Sequence, residues 1–218
     1  MSSRLMEVPD GVLVERLERV RSDIAELARE DVEIVAVTKG FDSSAVEAAK
    51  RLGLTAVGEN YAQELVEKAD RLSGLTVNFL GRIQRNKVRK VAELVDVWQS
   101  VVRPEILTEI AKRTSSARVL IQIQPDGDDS KDGVRPTELP SLLDLAQTLG
   151  VKVEGLMTIG VLGDSEATRA CFEEVDALAD EYELKVRSMG MSGDYRDALV
   201  AGSTMLRLGS VLFGPRPS

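Results

Sequence analysis

A chain of 218 residues, 43% hydrophobic and 29% charged, is long enough to bury a full core but short for two. It contains no histidine, which excludes Ser/His and Cys/His nucleophile pairs, histidine-ligated metal centres and imidazole proton shuttles. The excess of 36 acidic over 28 basic residues, a net charge of −8, disfavours nucleic acid and anionic membranes as partners, and no run reaches the roughly 20 apolar residues of a membrane span.

The single cysteine, Cys171, cannot form an internal disulfide. Its apolar-periodic surroundings suit a small buried hydrophobe in a reducing compartment, so a cytoplasmic protein is expected.

In chain order, a first amphipathic helix is expected over residues 10–29, with Val14, Leu17, Val20, Ile24 and Leu27 on one face. Strand-like runs then fall at 33–39, 55–58, 77–81, 96–100, 119–124, 152–159, 185–189 and 204–208. Helical patterns separate them at 44–52, 62–72, 86–94, 104–113, 138–149, 166–182 and 195–201. The helix at 44 carries a candidate capping box, Ser44 with Glu47, and Gly53 as its stop.

Strict strand-then-helix alternation implies parallel strands with right-handed crossovers, and eight such units close into a single (β/α)8 TIM barrel. Only about ten residues follow the last strand, so the extra N-terminal helix is expected to fill the eighth place in the outer ring. One barrel domain then accounts for residues 1–218, with the barrel at about 32–214. An open doubly wound sheet is the alternative, but its first turn, TKGFDSSA, has no GxGxxG, and no P-loop pattern occurs.

Such barrels place their chemistry at the C-terminal ends of the strands. Lys39 ends the first strand, where burial lowers an ammonium's pKa and prepares the amine to attack a carbonyl. The alternative is a lysine whose ammonium simply reaches the rim. The loops after strands seven and eight, RSMGMSGD and MLRLGSVLFG, offer Ser188, Ser192, Arg207, Gly209 and Ser210 as a phosphate cradle, or else ordinary turn glycines and a rim arginine. Because strand eight closes on strand one, Lys39, Arg207, Gly209 and Ser210 are expected to face one pocket, the arrangement a phosphorylated aldehyde requires.

The motifs VAVTKG, GENYAQE, FLGRIQRNK, LIQIQPDGDDSKDG, EGLMTIG, RSMGMSGDY and AGSTMLRLGSVLFG, in this order over about residues 32–214, resemble the pyridoxal phosphate homeostasis protein family, whose fold is similar to the barrel domain of alanine racemase. The resemblance implies a pyridoxal 5′-phosphate (PLP) binding protein acting in vitamin B6 and amino-acid homeostasis, without established catalysis. It implies Lys39 as the lysine of the covalent Schiff base and Asn60 near the ring face and phenolic oxygen. It also implies Ser188 and the loop to Ser192 as phosphate contacts, Arg207 facing the pyridine nitrogen, and Gly209 with Ser210 as phosphate ligands. Ser210 replaces the family's usual threonine and keeps its hydroxyl. The segment Asn78, Phe79, Leu80, Gly81 and the residues Arg82 and Arg85 depart from the family pattern.

A guanidinium can only donate, so Arg207 would keep the pyridine nitrogen unprotonated and the ring a weak electron sink. The alternative function is a weak PLP-dependent amino-acid racemase, for which the related enzymes use a tyrosine from a further β domain. Tyr61, Tyr182 and Tyr195 are not obvious substitutes.

Arg82, Arg85, Lys87, Arg89 and Lys90 put five cations within nine residues. They read as a solvated helix start, or as a guide for cofactor, for PLP-dependent client enzymes or, least well, for RNA. The loop DGDDSKDG lacks the sixth-position glycine and twelfth-position glutamate of a calcium loop, so no metal site is expected, while Ser130 and Lys131 are candidates for gating the barrel mouth. A monomer is the default expectation.

Overall fold

A strand covered by helices on one face and by a barrel interior on the other must be apolar on both, and the first strand, β1 (Glu33–Val37, EIVAV), meets that demand: every residue after Glu33 is buried. In the computed structural model, which describes residues 10–28, 31–125 and 132–215, seven more strands follow. They are β2 (Ala56–Glu59), β3 (Thr76–Phe79), β4 (Val97–Val101), β5 (Arg118–Gln122), β6 (Lys152–Met157), β7 (Val186–Ser188) and β8 (Met205–Leu208). All neighbours are parallel, and β1 pairs with both β2 and β8, which closes the barrel expected from the alternation.

The helices are α1 (Asp10–Leu27), α2 (Ser43–Arg51), α3 (Ala62–Glu67), α4 (Arg85–Val91), α5 (Pro104–Ala111), α6 (Leu139–Leu149), α7 (Ser165–Glu181), α8 (Tyr195–Val200) and a short α9 (Ser210–Phe213). Three local expectations are corrected. The α2 cap is Asp42, not a Ser44/Glu47 box, because the Asp42 carboxylate reaches the Ser44 amide at 2.9 Å. The pattern at 62–72 breaks into α3 and a 3-10 turn, Ala69–Arg71, with Lys68 drawn inward at the junction. The last segment forms α9, which alternation alone does not reveal.

Period-two alternation sorts strand residues between two cores. Inside the barrel, Val35, Ala56, Val97, Leu120, Met157 and Met205 form an apolar plug. Above it lies a polar layer of Asn78, Gln99, Ser188 and Arg207, all buried. The larger core, between strands and helices, contains Phe79, Trp98, Leu107, Ile121, Phe172 and Phe213.

Helix α1 occupies the place expected for it, against α8 and α9. Leu13, Leu17 and Val20 bury its inner face, and Arg16 Nη1 donates to the Leu212 carbonyl at 3.0 Å. Asp23 anchors it further, accepting from the Tyr195 hydroxyl and from Arg196 Nη1. Burial and the neighbouring Asp23 charge push the Tyr195 phenol from its ordinary value near 10 up to about 12. The phenol's contribution to stability is therefore complete below pH 10 and is lost as the pH rises towards about 12. Thermal melts should show Tyr195→Phe less stable than the native chain by a constant margin up to pH 10, and that margin should shrink above it.

Candidate functional site

The carboxyl ends of β1, β2, β3, β6, β7 and β8 surround a cavity of about 290 Å3. Lys39, Asn60, Ser192, Arg207, Gly209 and Ser210 all line it, joined by apolar walls from Val37, Phe41, Leu80, Met157, Ile159 and Met191. Residues spread over 172 positions of sequence, from Lys39 to Ser210, reach one cavity through β1–β8 closure. Among the sequence candidates Ser188 does not line it. β7 is only three residues long, and Ser188 points into the polar layer below, its hydroxyl donating to Gln99 Oε1 at 2.7 Å and accepting from Arg207 Nη1 at 2.8 Å.

Arg207 is the floor of the cavity. It is 5% exposed and held by neutral acceptors: Nη1 by the Ser188 carbonyl at 2.6 Å and hydroxyl, Nη2 by the Thr158 carbonyl at 2.8 Å. No carboxylate pairs with it among the described residues; burial lowers its pKa to about 10, with Asp194 pulling the other way, so it stays charged at neutral pH. A buried cation held only by neutral groups leaves its field open to whatever enters above it.

On the opposite side, Asn60 Oδ1 is buried with no hydrogen-bond partner. Gly81 makes its placement possible, since a Cβ there would lie 2.0 Å from the Asn60 carbonyl oxygen. Ser192 Oγ accepts from the Val211 amide at 3.1 Å and so ties the loop after β7 to the start of α9, beside Gly209 and Ser210. An unsatisfied amide oxygen, an amine, a guanidinium and a hydroxyl- and glycine-rich edge suit a polar, phosphorylated, carbonyl-bearing ligand.

The sequence reading missed Gln99, whose amide bridges Asn78 Oδ1 at 2.7 Å and Ser188, and which aligns the acceptors under Arg207. Its signal was a polar residue at an inward position of an apolar strand. The basic segment divides: Arg82 pairs with Asp132 at 3.2 Å and Arg89 with Glu109 at 2.9 Å, whereas Arg85, Lys87 and Lys90 make no ion pair with any described residue. Ser130 and Lys131 lie outside the described residues.

Comparison with known proteins now decides the family. The family described as alanine racemase, N-terminal domain, matches residues 14–217. A pyridoxal phosphate homeostasis protein of Haemophilus influenzae is 34% identical over 202 residues, covering 85% of each chain, and one of Synechocystis is 38% identical over 214 residues, covering 90% of this chain and 97% of that one. The chain belongs to the pyridoxal phosphate homeostasis protein family. Among solved structures of the family, PipY of Synechococcus elongatus with PLP bound has a TM-score of 0.82 and 30% identity, covering 93% of this chain and all (100%) of that one. Alanine racemase of Clostridium difficile shares the fold, with a TM-score of 0.71 at 19% identity over 94% of this chain and 57% of its own. No helix among the described residues is long and apolar enough to cross a membrane.

The bridging role of Gln99 is measurable in this family member. Gln99→Leu should lower stability by about 1–3 kcal/mol in urea unfolding, because Asn78 Oδ1 loses its donor and the Ser188 hydroxyl its acceptor in the barrel interior.

Proposed function

We propose that this protein binds PLP in the cavity at the barrel mouth, covalently through Lys39, and holds or hands over the cofactor in vitamin B6 and amino-acid homeostasis without turning over a substrate. The observation that carries the reading is the pairing of Lys39 with a buried, carboxylate-free Arg207 in one cavity. When bound, PLP supplies an aldehyde that condenses reversibly with a primary amine. Lys39 supplies that amine. Arg207 can donate to a ring nitrogen but never accept from it, so it opposes the protonation that would make the ring a strong electron sink. Asn60 offers its unpartnered amide oxygen, and Ser192, Gly209 and Ser210 form the edge suited to the phosphate. The PLP-bound PipY structure and the names of the relatives support the same assignment.

The racemase alternative needs a proton donor on the second face of the ligand. Tyr61, Tyr182 and Tyr195 do not line the cavity, and the Tyr195 hydroxyl is spent on Asp23. We place the protein in the cytoplasm as a monomer whose lone cysteine is buried.

Borohydride treatment of the purified protein with PLP should fix a pyridoxyl mass on the peptide containing Lys39. Lys39→Ala should abolish that mass, and neither enantiomer of alanine should lose α-deuterium; an unlabelled Lys39 peptide overturns the assignment.

Client enzymes are the natural recipients of a held cofactor, and Arg85, Lys87 and Lys90 give α4 an unpaired basic face suited to an acidic one. The double reversal Arg85→Glu with Lys90→Glu should slow PLP transfer to an apo-enzyme about tenfold at low salt while leaving PLP affinity unchanged. A transfer rate equal to that of the native chain removes this face from the pathway.

A further inference from the structure

Lys39 is flanked on both sides by contacts that lead to a single buried ammonium. Lys68, at the end of α3, is 2% exposed, and its Nζ donates to the Thr38 carbonyl at 2.9 Å, to Glu59 Oε1 at 2.5 Å and to Glu64 Oε2 at 3.3 Å. Those three bonds use every donor an ammonium has. Glu59, the last residue of β2 and wholly buried, accepts on the same oxygen from the Thr38 hydroxyl at 2.5 Å. Glu64 accepts on the same oxygen from the Gly40 amide at 2.8 Å. Thr38 is therefore fixed at its carbonyl and hydroxyl, and Gly40 at its amide. Gly40 sits at φ 78°, a left-handed conformation that turns the chain directly after Lys39 and that other residues rarely adopt.

The chemistry of the cluster is unusual for a mere tie between elements. Burying a charged pair exacts a desolvation penalty that apolar packing would avoid. Burial raises the Glu59 carboxyl, and the Lys68 charge opposes that rise, so the carboxylate depends on Lys68 being in place. The bonds that repay this burial go to the backbone on either side of Lys39. A lysine side chain has four rotatable carbons, and the reach of its amine is set by where its Cα is held.

We propose that Lys68 is a positioning residue for Lys39: through Thr38, Glu59 and Glu64 it fixes the backbone that carries the reactive amine and so aims that amine into the cavity. The inference rests on the reading of Lys39 as the residue that bonds PLP. It differs from a purely structural role in one respect. A structural tie moves stability and cofactor affinity together, whereas an aiming device changes the speed of covalent capture at a given occupancy.

The experiment compares the native chain, Lys68→Met, Lys68→Arg, Glu64→Ala and Lys39→Ala, each as the full chain. Total bound PLP is measured by equilibrium dialysis, covalent capture on the Lys39 peptide by timed borohydride quench and mass spectrometry, and folding by apo-protein melting. Lys68→Met should keep PLP occupancy within about threefold yet slow capture about tenfold, since misplacing a reacting group by a full ångström can cost about a hundredfold and a fraction of that shift correspondingly less. Lys68→Arg should restore part of the rate. Glu64→Ala, at a side chain only partly buried, leaves the Lys68–Glu59 pair intact and should slow capture about threefold, by breaking the link from Lys68 through Glu64 to the Gly40 amide. It keeps the inference testable where Lys68→Met does not fold. Native capture rates in Lys68→Met or Glu64→Ala, or a loss of rate no greater than the loss of occupancy, overturn the positioning role. A pyridoxyl mass that persists elsewhere in Lys39→Ala, with none on Lys39 in the native chain, overturns the functional reading instead.

Discussion

Arg207 sets the terms for the rest of the barrel mouth. A guanidinium taken out of water must recover its hydrogen bonds, and here it does so from the Ser188 and Thr158 carbonyls and the Ser188 hydroxyl rather than from a carboxylate. That solution works only if the ends of β6, β7 and β8 converge, because one acceptor comes from just beyond β6, another ends β7 and the donor lies on β8. It also requires that Ser188 be oriented, which Gln99 and Asn78 accomplish from β4 and β3. A polar layer thus runs across the barrel beside its apolar plug, and the cavity meets both, through Arg207 and through Met157.

Two buried cations stand near this site and are handled in opposite ways. Lys68 is neutralised by Glu59 and Glu64, and its field is spent on the barrel wall. Arg207 has no carboxylate partner among the described residues, so its field reaches the cavity. The contrast has a chemical sense. An aldehyde-bearing cofactor whose ring is to stay a poor electron sink wants a donor at its nitrogen and no acid behind that donor. On the proposed reading of Lys39, a scaffold lysine near it must, conversely, be prevented from competing for the aldehyde. Three committed hydrogen bonds and a buried ion pair achieve that for Lys68.

Much of this was legible in the sequence where local pattern and global position agree. Eight strand–helix alternations specify a closed parallel barrel, and barrel closure brings Lys39 beside Arg207 and Gly209 before any coordinates exist. Ser188 does not line the cavity: alternation tells which face a side chain takes but not which layer, and its hydroxyl is engaged by Gln99 and Arg207. Glu64 and Lys68 have the i, i+4 spacing of an ordinary exposed helix pair, so nothing local marks Lys68 as buried. Its burial arises only when α3 closes over the turn that carries Lys39. Asp42 took the cap from Ser44 because an aspartate two residues ahead reaches the Ser44 amide directly.

The missing histidines fit this division of labour. Holding a reactive aldehyde needs an amine that is aimed, a cation that keeps the ring quiet and an edge of amides and hydroxyls for phosphate; imidazole is required for none of these. Catalysis at the α-carbon of an amino acid would need a second proton-transfer group on the far face of the ligand. Among the described residues that line the cavity, Lys39 and Arg207 are the titratable ones, and Ile159, Met191 and Leu80 contribute apolar wall. On the proposed reading such a wall shields a bound aldehyde from other amines without supplying a proton, which favours holding over turnover. Lys39 is, on the same proposed reading, a reversible anchor, and the inferred placement by Lys68 sets how quickly the cofactor is captured.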